Sequence, residues 1–241
     1  MVMNMDKKYL IIYNNILNKI ENEILKPYDK LPSESALMKE FNVSRDTVRK
    51  SLNLLEQNGY IQKSKGKLAF VLDINKVAFP VSGITSFKEL AIKANWKYKT
   101  YVKQLEVVKN NKKLMNKLKI SEEDEVWRLK RVREIDNEKV ILDKDYIIRE
   151  FVPGLTEEIC KESIYDYIEK ELNLKISFAK KEITVQSVNE EDKMYLDMKN
   201  YNMIVVVKSY VYLDDATLFQ YTESRHRPDR FRFVDFARRT Y

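Results

Sequence analysis

The stretch LPSESALMKEFNVSRDTVRKSLNLLEQNGYIQKSKGKLAF, residues 31–70, decides the fold of the first part of the chain. Ser33 supplies an N-cap hydroxyl for a helix, and the apolar residues that follow it have helical spacing. The apolar stripe expected along this helix consists of Ala36, Leu37 and Phe41. Asn42 and Val43 break the run, so the sequence predicts a short helix followed by a tight turn.

A second helix is predicted from Ser44, its N-cap, to Gly59, which favours the left-handed conformation that ends helices. Its apolar residues at helical spacing are Val48, Leu52 and Leu55. The residues spaced four apart on the opposite side are Arg45, Arg49 and Asn53. We therefore expect one face to pack inward and the other, together with Thr47, to be exposed.

Residues 60–71 read as two short strands around a tip, the shape of a wing. The tip consists of Lys65, Gly66 and Lys67. From residue 44 to 67, six Lys or Arg stand against two acidic residues. Arg45 and Arg49 can bond guanine bidentately in the major groove of DNA, and lysines at the tip can neutralise phosphates. The simpler interpretation is two amphipathic helices beside a hairpin, with basic residues that serve solubility.

The segment resembles the winged helix-turn-helix of the GntR regulators over residues 7–72. The family pattern LPSE...L...F.VSR.TVR.AL..L...G.I is matched, except that Ser51 replaces the usual alanine, and SKGKLAF departs from the commoner G-x-G-T-F-V wing. The resemblance implies binding to double-stranded operator DNA. The DNA-binding residues expected are Ser33, Ser44, Arg45, Thr47, Arg49, Lys50, Lys65, Gly66 and Lys67.

The length of 241 residues and a hydrophobic content of 44% allow two buried cores. A first amphipathic helix is predicted within residues 7–25, stopped by Pro27. Its apolar face is expected to consist of Ile12, Ile16, Ile20 and Ile24. We expect a DNA-binding domain at 1–72, a linker at 73–80, and an effector-binding and dimerisation domain at 81–241.

Several protein classes are disfavoured by what the sequence lacks. One cysteine, Cys160, and one histidine, His226, exclude ordinary zinc clusters, and the four glycines form neither a dinucleotide fingerprint nor a P-loop. Neither an enzyme nor a cofactor is expected, and Cys160 is expected to be a buried small apolar residue. With no apolar run of membrane-spanning length and no signal segment, a cytoplasmic protein without membrane contact is expected. The net charge of +7 suits a polyanion partner.

The second half of the sequence alternates strand-like runs with short helices. Strands are predicted at 125–135, 139–149, 176–188, 203–213 and 216–226, and helices at 87–94, 112–118, 164–172 and 190–197. Hairpin turns are expected at 136–138 and 214–215, and residues 231–236 read as an alternating core strand with its arginines outward. Long hairpins with segregated helices imply an antiparallel α+β domain.

This half resembles the UTRA effector-binding domain of the HutC subfamily of GntR regulators, a sheet of the chorismate-lyase type. The segments that carry the resemblance are Arg131-x-Arg133, Ile141-Leu142-Asp143, Ser163-Ile164-Tyr165 and Arg227-Pro228-Asp229-Arg230-Phe231. Residues 79–90 (FPVSGITSFKEL) and 223–239 (ESRHRPDRFRFVDFARR) are similar to a group within the subfamily that represses trehalose operons. The resemblance implies a homodimeric repressor released from its operator by trehalose 6-phosphate. Alternatives are a regulator that responds to an amino-sugar phosphate, an enzyme built on the lyase-like sheet, and an architectural DNA-binding protein.

The effector site is expected at a loop and one strand. Thr85, Ser86 and Phe87 lie where a loop meets a helix, so their backbone N–H groups and two hydroxyls can surround a phosphate. Arg131 and Arg133 alternate along one strand and point to one face, where both can hold the same phosphate. By resemblance, the sugar pocket is lined by Asp143, Ser163, Tyr165, Gln220 and His226. The simpler interpretations are an N-cap, a salt-bridged strand face and a structural histidine.

Overall fold

The computed structural model describes residues 8–63, 67–72, 79–80, 84–109 and 111–234. They form two compact units, one before residue 73 and one from residue 79 onward. The expected domain boundaries stay a prediction, since most of the linker at 73–80 lies outside the described residues. Among the described residues, no helix is both long enough and apolar enough to cross a membrane.

The first unit contains three helices and a two-stranded antiparallel sheet. Its elements in chain order are α1 (Lys8–Glu21), α2 (Glu34–Phe41), α3 (Arg45–Gln57), β1 (Ile61–Gln62) and β2 (Phe70–Val71). The predicted caps are confirmed, because Ser33 and Ser44 accept hydrogen bonds from the backbone N–H groups of Ala36 and Thr47. Gly59, at φ 74°, follows the end of α3 as predicted. The helix-turn-helix and the two wing strands are therefore present.

The core of this unit is formed by the apolar faces of the three helices and by both strands. Its buried residues are Ile12, Ile16, Ile20, Leu31, Leu37, Val48, Leu52, Leu55, Ile61 and Val71. The prediction was wrong for Ile24, which is 69% exposed, because α1 ends at Glu21 and Glu23 turns the chain at φ 58°. Ala36 is also exposed, and Thr47 is half-buried rather than exposed.

The second unit is built on a six-stranded antiparallel sheet in the order β4-β5-β6-β9-β8-β7. Its elements are β3 (Phe79–Pro80), α4 (Phe87–Lys93), β4 (Tyr98–Val108), α5 (Lys112–Leu118), β5 (Val126–Ile135), β6 (Glu138–Ile148), α6 (Glu157–Lys161), α7 (Ile164–Asp166), β7 (Ile176–Ser187), α8 (Glu190–Tyr195), β8 (Met203–Leu213), β9 (Leu218–His226) and β10 (Phe233–Val234). The five predicted strands start and end within two residues of their expected bounds. The expected antiparallel α+β domain is confirmed.

Some local predictions need correction. The sequence did not predict β4 or α6. The helix expected at 164–172 is a single α-helical turn, α7, followed by a π-helical turn, Tyr167–Glu171. The hairpin between β5 and β6 turns at Asp136 and Asn137, which both have positive φ, as tight hairpins require. The expected core strand at 231–236 was wrong for Phe233, which is 46% exposed. Asp235 and Phe236 lie outside the described residues.

Helices cover both faces of the sheet. On one face, α5 packs Leu114 and Leu118 against strand residues such as Val126. On the other, Cys160 of α6 and Ile164 of α7 are buried in a second apolar cluster, as predicted for the cysteine. Apolar packing on this second face stops short of the middle of the sheet, where the strands present polar side chains instead.

Candidate functional site

The outward face of α3 carries the two arginines predicted to read DNA bases. Their side chains are 68% exposed for Arg45 and 60% exposed for Arg49. Both reach Glu34 in the first turn of α2, with Nε to carboxylate distances of 2.9 Å and 3.5 Å. Such exposed ion pairs contribute little to stability, so both guanidinium groups can exchange this carboxylate for DNA at small cost.

The other predicted DNA contacts surround these arginines. Lys50 Nζ lies 4.4 Å from the centroid of the Tyr9 ring, and Lys67 is exposed. The hydroxyls of Ser33 and Ser44 cap α2 and α3, so both serines have a structural role without any contact with DNA. The remaining tip residues, Lys65 and Gly66, lie outside the described residues. The contacts of all these residues with DNA stay predictions.

A cavity of about 180 Å³ lies on the polar part of the sheet in the second unit. All ten residues predicted to bind the effector line it: Thr85, Ser86, Phe87, Arg131, Arg133, Asp143, Ser163, Tyr165, Gln220 and His226. Polar lining residues that the sequence reading missed are Lys88, Asp145, Glu162, Lys181, Ser209, Thr222 and Ser224. Strand alternation could have found several of them, because Asp145 lies two residues beyond Asp143 on β6, and Ser224 lies between two predicted residues of β9.

Arg131 and Arg133 of β5 are buried and paired with aspartates of β6. Arg131 Nη2 donates to Asp145 Oδ2 at 2.6 Å, and Arg133 Nε donates to Asp143 Oδ2 at 2.9 Å. The Arg133 guanidinium also lies 4.5 Å from the centroid of the Phe87 ring. The simpler interpretation of a salt-bridged strand is therefore confirmed in its pairing, but the pairs line a cavity instead of facing solvent.

Burial and neighbouring charges together set the pKa values of Arg131, Arg133 and Asp143. Burial lowers the pKa of Arg133 to about 10, with repulsion from Arg131 adding to the effect. Burial opposes the charged form of Arg131 too, but attraction to Asp145 and Asp143 outweighs it and raises its pKa. Burial likewise disfavours the ionised form of Asp143, yet the two arginines outweigh it and lower its pKa. Arg131, Arg133 and Asp143 are therefore all charged near neutral pH.

The neutral part of the cavity floor lies on β9. The Ser224 hydroxyl donates to Asp143 Oδ1 at 2.5 Å and lies 2.9 Å from His226 Nε2. Burial lowers the pKa of His226 to about 4, so its imidazole is neutral at pH 7. Gln220 Nε2 and Thr222 Oγ1 each donate to Asp145 Oδ1 at 3.0 Å. These side chains hold the carboxylates in fixed positions beside the arginines.

Two polar atoms of the cavity wall are buried without a hydrogen-bond partner among the described residues. They are Arg131 Nε, a donor, and Gln220 Oε1, an acceptor. Buried polar groups are nearly always paired, so each such atom calls for an explanation. A ligand with an anionic oxygen near Arg131 and a hydroxyl near Gln220 satisfies both.

The expected anion site at the start of α4 is occupied in part by the chain itself. Ser86 accepts from the Glu89 N–H at 3.2 Å, and the Ser86 N–H donates to Glu89 Oε2 at 2.6 Å, a capping box. The N-cap interpretation is therefore confirmed, and the phosphate role of this loop stays a prediction. Ser163 similarly caps α7 by accepting from the Asp166 N–H.

Comparison with known proteins gives the class. Residues 8–71 match the family of bacterial regulatory proteins of the gntR family, and residues 93–232 match the UTRA domain. The chain belongs to the GntR family, as a transcriptional regulator with the HutC-like arrangement of a helix-turn-helix domain followed by a UTRA domain.

Two individual relatives match nearly the whole chain. It is 50% identical over 232 residues to the HTH-type transcriptional regulator TreR of Bacillus subtilis, covering 96% of this chain and 98% of TreR. The crystal structure of the possible transcriptional regulator YydK of B. subtilis is 30% identical, with a TM-score of 0.81, and the match covers 96% of this chain and 99% of that chain. The effector-binding domain of the B. subtilis trehalose repressor is 51% identical, with a TM-score of 0.55, covering 59% and 99%. All three relatives are named as transcriptional regulators or repressors.

Proposed function

We propose that this regulator is a homodimeric repressor of a trehalose-utilisation operon and that trehalose 6-phosphate releases it from its operator. The observation that carries the proposal is the pair of buried arginines on β5 beside a floor of carboxylates and hydroxyls, in a chain half identical to TreR. Guanidinium groups bind phosphate through charge-assisted hydrogen bonds, and carboxylates and hydroxyls bond sugar hydroxyls.

The effector has to share the arginines with Asp143 and Asp145. A phosphate oxygen can take the Arg131 Nε donor, which has no partner among the described residues, without breaking the bond from Nη2 to Asp145. The uncharged sugar gains none of these charge-assisted bonds. We therefore expect free trehalose to bind at least about tenfold more weakly than its 6-phosphate, since the lost bonds contribute roughly 1.5–3 kcal/mol.

Operator recognition requires two DNA-binding domains. One small DNA-binding domain makes too few base contacts for a specific site, whereas the two domains of a symmetric dimer read two half-sites of a pseudopalindrome. The effector lowers operator affinity only if it prefers a DNA-incompatible arrangement, and operator DNA must then weaken effector binding by the same factor. We expect this coupling to be roughly 1–3 kcal/mol.

The second candidate is a regulator of amino-sugar use that responds to an amino-sugar phosphate. The two buried carboxylates at the centre of the cavity favour it, since either can accept a hydrogen bond from an ammonium group.

Calorimetry on the full chain tests both candidates with three ligands: trehalose 6-phosphate, trehalose and glucosamine 6-phosphate. The proposal expects tight binding of the first alone, loss of binding in Arg133→Ala, a smaller loss in Arg131→Ala, and operator affinity within a few fold of wild type in both variants. Equal affinity for trehalose and its phosphate would remove the phosphate site. Preference for glucosamine 6-phosphate would favour the second candidate.

A further inference from the structure

The segment expected to join the two domains pairs with the last described strand of the effector domain. Strand β3, Phe79–Pro80, lies within residues 73–80 and runs parallel to β10, Phe233–Val234. The register places Phe79 opposite Phe233 and Pro80 opposite Val234. Backbone pairing therefore sets the position of the end of the linker relative to the effector domain.

Each of the two paired strands is close in the chain to the cavity wall. β10 begins two residues after Phe231, whose ring centroid lies 5.1 Å from that of His226, and both residues line the cavity. Residues 84–87, which follow β3, form another part of the wall, and there Phe87 contacts the Arg133 guanidinium. A ligand that fills the cavity therefore has as neighbours both segments that lead to the β3–β10 pair.

The chain just before Phe231 is held in place by ion pairs. Arg227 is fully buried and donates to Glu138 Oε2 and to Asp229 Oδ1, both at 2.7 Å. Arg230 donates to the same Glu138 oxygen at 2.9 Å. Breaking a buried ion pair is costly, so a ligand that displaces the Phe231 ring moves the chain after it, which is β10.

We propose that the β3–β10 pair transmits effector occupancy to the DNA-binding domain, with Phe231 as the cavity residue that displaces β10. The proposal rests on the proposed function and deepens it, since it names the contact through which the effector releases the operator. Strands of two residues share few backbone hydrogen bonds, so the binding free energy of an effector is sufficient to shift or separate them. Such a shift changes the path of the linker and thereby the arrangement of the DNA-binding domains.

The test measures operator affinity with and without saturating trehalose 6-phosphate, by fluorescence anisotropy on the full chain. The effector should raise the dissociation constant of the wild type by about 5- to 150-fold, the usual range of allosteric coupling. The double substitution Phe233→Pro, Val234→Pro removes both backbone N–H groups of β10 and should reduce this ratio to less than about twofold. Phe231→Ala should reduce it by a smaller factor. The matched control, Phe233→Ala with Val234→Ala, keeps the N–H groups and should retain the wild-type ratio.

Two further measurements separate transmission from a purely structural role. Calorimetry should give the proline variant a trehalose 6-phosphate affinity within about threefold of wild type, because its substitutions lie outside the residues proposed to bind the effector. Its operator affinity without effector should stay within about tenfold of wild type, because an unpaired linker still lets two DNA-binding domains reach two half-sites.

An undiminished ratio in both the proline variant and Phe231→Ala would overturn this inference and leave the proposed function intact. A ratio lost in the alanine control, or a proline variant that binds no operator even without effector, would overturn it as well, since backbone pairing would then not be the coupling contact. Loss in the proline variant alone would overturn the role of Phe231. A wild-type chain that trehalose 6-phosphate does not release would overturn both proposals. Unliganded melting temperatures check folding, and Phe231→Ala decides the matter if the proline variant does not fold.

Discussion

The two arginines predicted to read DNA and the two proposed to bind the effector differ sharply in their exposure to solvent. Arg45 and Arg49 on α3 are more than half exposed and share one carboxylate, Glu34. Arg131 and Arg133 on β5 are 7% and 3% exposed, and each has its own buried aspartate. Arginine side chains are therefore held in two ways in this protein, by a shared exposed carboxylate on α2 and by separate buried carboxylates on β6.

The difference follows from the cost of removing charge from water. An exposed guanidinium stays solvated, so its ion pair is weak and it remains free to move to a base edge. A buried guanidinium needs a fixed counter-charge before any ligand arrives, because an uncompensated buried charge is strongly destabilising. The arginines of the cavity are thus held in fixed positions, whereas those on the outward face of α3 can change partners.

The largest expected effect is on the buried pairs. Asp143→Ala leaves Arg133 buried without its carboxylate and should lower the free energy of unfolding of the effector domain by about 3–5 kcal/mol. Urea unfolding followed by tryptophan fluorescence measures this domain alone, because Trp96 and Trp127 are the only tryptophans of the chain. The matched control is Asp214→Ala, which breaks an exposed pair with Lys175 and should cost less than about 1 kcal/mol. Similar losses in the two variants would contradict the contrast between buried and exposed pairs.

The burial of His226 also predicts that the stability of the effector domain depends on pH. Burial lowers the pKa of His226 to about 4. Between about pH 6.5 and pH 4, the unfolded chain binds a proton at this residue that the folded chain does not. The stability that is present above pH 6.5 is therefore lost as the pH falls, by about 1.4 kcal/mol per pH unit and approaching about 3 kcal/mol at pH 4.

Urea unfolding at pH 7, 6, 5 and 4 on the wild type and on His226→Gln isolates this contribution. The carboxylates titrate in both proteins, so the histidine appears as the difference between the two curves. Curves that run parallel across this pH range would show that His226 is accessible to protons in the folded state.

For the exposed arginines, Arg45→Ala and Arg49→Ala should each weaken operator binding by roughly 1–3 kcal/mol and relax specificity at one position per half-site. Lys50→Ala should weaken binding to all DNA alike, because a phosphate contact carries no sequence information. Fluorescence anisotropy on operator and scrambled duplexes at one salt concentration distinguishes the two roles. Equal losses on both duplexes for the arginine variants would show that they do not read bases.

The smallest expected effect is on Glu34, the shared partner of Arg45 and Arg49. Glu34→Gln should lower the stability of the DNA-binding domain by no more than about 1 kcal/mol, because both ion pairs are exposed and the helix-dipole contribution of the first turn is small. A thermal melt followed by helical circular dichroism measures this. A loss as large as that expected for Asp143→Ala would mean that this pair, too, is structurally essential.

The DNA-binding domain was the easier part to predict because its signals are local. Ser33 and Ser44 cap helices a few residues away, and Val48, Leu52 and Leu55 follow helical spacing, so nearby sequence suffices. The error at Ile24 arose because periodicity continues past the point at which Glu23 adopts positive φ. The edge strand β4 was missed since its residues are mostly half-buried and their alternation is weak.

In the effector domain, family resemblance together with strand alternation identified ten residues of the cavity wall. The partners of those residues were not predictable from spacing. Asp145 meets Thr222 because β6 and β9 are neighbours in the sheet, although 77 residues separate the two side chains in the sequence. Lys181 reaches the same floor only because β8 pairs with both β7 and β9.

The sequence by itself determined the helix-turn-helix and the strand hairpins, because caps, turns and period-two alternation act over a few residues. Its resemblance to a family identified the family and ten residues of the cavity wall. Only the tertiary structure decided that Arg131 and Arg133 are buried against Asp145 and Asp143, and that the polar floor continues to Lys181. The order of strands in a sheet sets which side chains become neighbours and how much water they retain. Both depend on contacts between segments far apart in the chain.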